Sequence, residues 1–368
     1  MALEVVKQIG GAGQTPWSQT HTDGGLPTTT HPERTPAHLW YKGPLLLPSP
    51  GVTAIFNGPI FRIGNGNSFG HMPRVMDRPQ IPGTADKTAR FDVYELEPDL
   101  TGVIQYPSIQ LDSITGDGPV NKLYGIEDIR VTSLDDGSLG CAMTAEFGGK
   151  PYPALFIVHP TESDWKVEPM ELMIGAGMGK NTLLLDRNTA LHRLETENDK
   201  IAVIQRNQQT NRWSTIDTIH FPHITKYNDH AKLNGGGNKR IGLTGGERIP
   251  MPNGHFRMIM HEVTHSAGDH DNAGNISEYS FRLAEFQLDE RGIPKVVAVD
   301  PKPLLTYDQV VELAGPGEEP DPKKRVIYST GGVLNNNNQF LLPVTVRDRE
   351  EHLFAIPLRH LQRPFAAH

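Results

Sequence analysis

Short apolar runs of roughly four to eight residues alternate with turns along most of the chain, and no long stretch keeps a helical period. The segment 90–96, Arg-Phe-Asp-Val-Tyr-Glu-Leu, alternates polar with apolar positions, as a strand with one covered face does. Similar runs predict strands at 52–57, 59–63, 102–111, 129–132, 139–147 and 154–159. Others follow at 182–185, 189–192, 200–205, 213–219, 241–243, 255–263, 279–288, 296–299, 325–329, 339–346 and 353–358. Gly-Asn-Gly-Asn at 64–67 and four asparagines at 335–338 mark sharp turns. The segment 306–313 is the best short helix, with Thr306 as its cap and Gln309 in the boxing position.

Most separations are too short for the helical crossovers that parallel strands need, so the pattern predicts an antiparallel meander. About twenty short strands with little helix predict an all-β fold, a five-bladed β-propeller, because a radial arrangement protects nearly all strand edges. A double-sheet sandwich is the alternative, since no clean internal repeat counts the blades. Residues 1–45 are polar and turn-rich and read as an N-terminal extension, with 46–368 as a single catalytic propeller domain.

Composition narrows the function. The formal net charge is -8 and the basic residues are scattered, which argues against a nucleic-acid partner. No apolar run approaches the roughly 20 residues that cross a bilayer, and Met-Ala-Leu-Glu-Val-Val-Lys lacks the apolar core of a secretory signal, so a soluble, cytoplasmic protein without a membrane partner is expected. The single cysteine, Cys141, sits in Leu-Gly-Cys-Ala-Met and reads as a small buried hydrophobe. Oligomeric state is open, a homo-oligomer included.

Four places carry candidate chemistry. Glu127, Asp128 and Arg130 put two carboxylates and a cation at the start of a strand, where neighbours can tune a proton donor. Lys180-Asn181 follows the glycine-rich 175–179, but lacks the Ser or Thr after Lys and the following helix that a phosphate loop needs. Arg193, after His192, offers a planar donor fork to an anion, or else an ion pair to Glu195 or Glu197. His261-Glu-Val-Thr-His265 matches a zinc-peptidase motif in letters; on a helix the histidines share one metal and Glu262 activates water. On a strand the two histidines stand roughly 13 Å apart, too far to share an ion. A zinc peptidase is therefore kept only as an alternative, and no metal is expected.

The order of these segments resembles glycoside hydrolase family 130, inverting phosphorylases and hydrolases that act mostly on β-mannosides. Phe56-Asn57 is similar to the family's early Asn-containing strand, and Gly125-Ile-Glu-Asp-Ile-Arg130 to its Gly-Val-Glu-Asp-Pro-Arg. Lys180-Asn181 resembles its Lys-Asn step, Leu191-His-Arg193 its Leu-His-Arg, and His261 the histidine of its Tyr-His-Gly. Tyr279, Val326 and Asp348 fall in segments similar to its later strands. The resemblance implies a five-bladed propeller with its site at the central mouth. It implies Asp128 as general acid, working through a sugar hydroxyl, and Lys180, Arg193 and His261 around an attacking phosphate. Arg62 and Asp348 would bond the sugar, with Asn57, Glu127, Arg130 and Asn181 as further substrate contacts. No cofactor is implied beyond inorganic phosphate as a co-substrate; the partner is a small carbohydrate. Ile129, Glu262 and the last-blade segment Pro343 to Asp348 depart from the family pattern. They leave open a propeller lyase or isomerase on a sugar-like or natural-product substrate, and a glycan-binding propeller without enzymatic activity.

Overall fold

The structure is a computed structural model that describes residues 6–7, 40–44, 54–64, 68–76, 90–96, 103–110, 114–115, 123–147, 150–161, 165–233, 236–266, 277–315, 324–347 and 350–365. Among these residues the strands gather into five sheets that follow chain order. The first runs from Ala54–Phe56 to Val103–Gln110, with Val6–Lys7 on its edge; the second from Ile114–Thr115 to Met170–Leu172; the third from Gly179–Leu184 to Arg212–His220. The fourth runs from Asn238–Leu243 to Leu305–Thr306 and takes in Lys324–Arg325, and the fifth runs from Ile327–Tyr328 to Glu350–Pro357. Neighbouring long strands pair antiparallel, as short connections require.

Buried side chains show how the sheets close into a ring. Phe61, Phe91 and Val93 of the first sheet pack with Ile126, Val131 and Phe156 of the second. Leu155 and Ile157 meet Leu184, Ala202 and Trp213; Leu183, Leu191 and Val203 meet Ile241, Met258 and Met260. Ile259, Phe281 and Leu283 meet Ile327, Phe340 and Phe354, and Leu341, Leu353 and Ala355 return to Ile60, Phe69 and Leu96. Each sheet thus buries one face against each neighbour, and the fifth touches the first: this is a five-bladed β-propeller. Successive residues such as Leu183 and Leu184 pack into different seams, since strand side chains alternate between faces. A strand covered on both faces needs apolar residues at consecutive positions, and Ile201–Ile204 supply them.

Trp40–Pro44, from the expected N-terminal extension, pairs with Glu350–Pro357 and forms an edge strand of the last blade. The helix expected at 306–313 is Tyr307–Ala314, capped by Thr306, with Gln309 Oε1 accepting from the Thr306 amide at 2.9 Å. A second helix, Pro222–Leu233, lies in a segment that the strand pattern passed over. Its buried positions, Ile224, Asn228 and Ala231, keep a helical period, but only two of them are apolar.

Candidate active site

Asp128 sits on Leu123–Ser133 of the second blade and Asn181 on Gly179–Leu184, the first strand of the third. Both have left-handed backbones, with φ of 55° and 58°. Pairing with the next strand slips between Glu127 and Arg130 and between Lys180 and Leu183, so each lies in a β-bulge. Asn57, before the strand Ile60–Arg62, has φ 53°. Asn and Asp tolerate this conformation better than other side chains, and a bulge re-aims the side chain that it carries.

The bulges bring distant residues together. Asn57 Nδ2 donates to Asp128 Oδ1 at 3.0 Å. Lys180 Nζ meets Glu127 Oε2 at 3.0 Å and Glu146 Oε1 at 4.0 Å. Burial by itself lowers the Lys180 ammonium, but Glu127, Asp128 and Glu146 outweigh it and hold the group above its ordinary value. Lys180 also faces Arg193 across the strand pair.

Arg130 fills the middle of this arrangement with no exposed surface. Its guanidinium donates to the Asp128 carbonyl at 2.8 Å, the Leu243 carbonyl at 2.8 Å, Asn181 Oδ1 at 2.9 Å and the Tyr328 hydroxyl at 2.5 Å. One side chain of the second blade thereby touches the third, fourth and fifth. Gly245, at φ 97°, permits this contact, because a Cβ there would meet the Thr330 carbonyl at 2.4 Å and Arg130 Cγ at 3.2 Å.

Asn181 Nδ2 donates to Nε2 of His261 at 3.2 Å. His261 is stacked against Tyr279 and edge-on to Tyr328, with ring centroids 6.3 and 5.0 Å away. Burial, then Arg130 and Arg193, push its pKa well below the usual histidine range, so the ring is neutral. Burial pushes the Tyr328 phenol up; Arg130 opposes the shift and Asp128 adds to it. Arg193 is nearly enclosed, with Glu195 3.8 Å from one guanidinium nitrogen and its Nε unpaired. Burial lowers its pKa, Glu195 and Tyr328 raise it, and the like charge of Arg240 lowers it further. Behind it, His192 is held neutral, down to about 4, by burial and by Arg193.

Asp128, Glu127, Lys180, Asn181, Arg193 and His261 are thus gathered around Arg130, together with Asn57. Arg130 and Asn181 are buried and hydrogen-bonded to other residues of the cluster. The structure does not bring Arg62 to this cluster. Its carbonyl accepts from the Ser133 hydroxyl, five positions beyond Asp128 and roughly 15 Å along the strand, and it lines a separate cavity with Glu247 and Gly332. Asp348 lies outside the described residues. Sequence reading missed Arg240 and Tyr328. Arg240 was hidden in Asn-Lys-Arg-Ile-Gly, although its place two residues before Gly242, the partner of His261 in the sheet, puts it on the same strand face.

The His261–His265 motif lies on the strand Phe256–His265. His261 and Glu262 therefore point to opposite faces. Glu262 is enclosed by Lys239 at 2.7 Å, Arg282 at 2.8 Å and His223 at 3.5 Å, and His265 Nδ1 meets Ser277 Oγ at 2.9 Å. The helical geometry of a zinc peptidase is not formed, and among the described residues no three metal-binding side chains converge.

No protein-family model matches the sequence, and no curated protein matches it. Solved structures do. A glycosyl hydrolase from Bacteroides ovatus aligns with TM-score 0.55 over 86% of each chain at 14% identity. A β-1,2-mannobiose phosphorylase from Listeria innocua, solved with β-1,2-mannobiose, aligns with TM-score 0.53 over 87% of this chain and 95% of its own at 15% identity. A mannose phosphorylase from Leishmania mexicana, solved with a phosphate ion, aligns with TM-score 0.51 over 86% and 88% at 12% identity. The fold is that of the family 130 propellers. Residues of all five blades, Asn57, Arg130, Asn181, Leu243 and Tyr328 among them, meet at one place.

Proposed function

We propose that this chain is a carbohydrate-active enzyme that cleaves a β-mannoside-like glycosidic bond with inversion, Asp128 acting as general acid and phosphate as the attacking group. The observation that carries this reading is that a carboxyl group and a set of cations meet at one place. Asp128, hydrogen-bonded by Asn57, is near Lys180, and Lys180 pairs across the sheet with Arg193, which acts with Arg240 around the neutral His261. A general acid has to face the leaving oxygen while the nucleophile arrives from the opposite side of the sugar, and an oxyanion nucleophile needs cationic and N–H donors in a poorly hydrated place. The Nε of Arg193 and the Nδ1 of His261 are two buried N–H groups without a partner, which such a nucleophile would satisfy on displacing what covers them. The fold shared with a β-1,2-mannobiose phosphorylase and a mannose phosphorylase supports the substrate class.

Water as acceptor is the second reading. Lys180 already has Glu127 at 3.0 Å, which takes up a charge that phosphate would otherwise use. A panel of β-mannosides incubated with and without phosphate separates the two. Sugar 1-phosphate appearing only with phosphate supports phosphorolysis, free mannose in both conditions supports hydrolysis, and no turnover in either defeats the proposal.

A further inference from the structure

Asn181 bridges the guanidinium of Arg130 and the imidazole of His261. Its Oδ1 accepts from Arg130 Nη2 at 2.9 Å and from the Tyr328 hydroxyl at 2.7 Å. A guanidinium has donors only, so turning the amide round would set N–H against N–H. The amide nitrogen is therefore the atom that faces His261 Nε2, at 3.2 Å. An amide nitrogen cannot accept, so Nε2 has to be the acceptor and carries no proton. The ring proton is left on Nδ1, which is buried without a partner. An imidazolium would aim a second N–H at the amide and add a charge beside Arg130 and Arg193. Space is set as tightly as hydrogen bonding: a Cβ on Gly242 would lie 2.2 Å from Nε2 and 2.8 Å from Asn181 Nδ2.

We infer that Arg130 and Tyr328 fix the Asn181 amide so that His261 is held as the neutral tautomer with its proton on Nδ1. Arg130 and Asn181 are then positioning residues. His261 then keeps a fixed Nδ1–H instead of a cation that would be lost as pH rises, and a ligand oxygen reaches that donor only by displacing what covers it. The groups facing the ring are Arg130 from the second blade, Asn181 and Arg193 from the third, Tyr279 from the fourth and Tyr328 from the fifth, with Asp128 acting through Tyr328. That the ligand is an oxyanion rests on the function proposed above; the tautomer does not.

The test is the imidazole nitrogen spectrum of the full chain labelled with 15N-histidine, without substrate, His261 being assigned by its loss in His261→Asn. The expected result is a protonated Nδ1 and an unprotonated Nε2 from about pH 5 to about pH 8. In Asn181→Asp a carboxylate accepts where the amide donated, so the proton is expected on Nε2 and the titration rises toward the ordinary value of about 6.5. A proton on Nε2 in the wild type, or titration of His261 between those pH values, overturns the inference. If Asn181→Asp does not fold, the wild-type spectrum decides alone. Absence of turnover on β-mannosides bears on the proposed function and leaves this result untouched.

Discussion

Asp128 and Asn181 hold the same place on adjacent blades, each at the crest of a bulge with a left-handed backbone. The residues before them, Glu127 and Lys180, join the two blades at 3.0 Å. One backbone device thus serves twice, presenting a carboxyl group in one blade and, in the next, an amide that orders His261.

Asp128→Asn is expected to lower kcat on a β-mannoside by about 10²- to 10⁴-fold, the usual contribution of a general acid. Asparagine tolerates the left-handed backbone, so the thermal midpoint should stay close to that of the wild type. Retained turnover in this variant would move the chemistry to another residue.

Arg240→Ala tests the acceptor. Loss of a charged hydrogen bond of about 1.5–3 kcal/mol corresponds to a rise of roughly 10- to 150-fold in KM for phosphate. Turnover by water should change little, so the ratio of the two activities is the measurement.

Gly242→Ala is expected to destabilise the chain. The added methyl would press on Nε2 of His261 at 2.2 Å, and overpacking of this kind costs about 1–3 kcal/mol. Denaturant unfolding reads the loss directly, and an unchanged midpoint would contradict so close a packing of Gly242 on His261.

Stability should fall progressively as pH drops below about 6.5. Burial alone raises the Glu262 carboxyl, but His223, Arg282 and Lys239 together hold it down to about 2, from 4.5. A folded-state pKa below the unfolded one gives stability that is complete above pH 4.5 and lost as pH falls toward 2, on the order of 3 kcal/mol. His192, lowered from 6.5 to about 4 by burial and Arg193, acts in the same direction between those values. Glu262→Gln should remove its part of the acid dependence while destabilising at neutral pH, because Lys239 and Arg282 lose their buried partner. Stability curves against pH for the two proteins check both statements.

Most of the strands are legible in the chain itself, because strand identity is local. The alternation at Arg90–Leu96 and the apolar runs at Leu139–Phe147 and Gln339–Val346 need only their own residues, and those strands have the predicted bounds. The Thr306 and Gln309 cap is legible for the same reason. Pro222–Leu233 is not, since its face buries Asn228 between Ile224 and Ala231 and so weakens the apolar period.

The sequence by itself determined the strands, the antiparallel order and the residue types available for chemistry. It also supplied Asn and Asp at positions that favour left-handed turns, and the resemblance that pointed to Asp128. Tertiary structure decided which of those residues meet. Ring closure carries Arg130 to Tyr328, 198 positions away, and leaves Arg62 beside Ser133, five positions beyond Asp128 on the neighbouring blade's strand. It also decided that His261 and Glu262 face apart, because a strand turns successive side chains to opposite sides whatever a motif spells. Contacts made by closing a ring depend on every blade at once, so no local pattern records them.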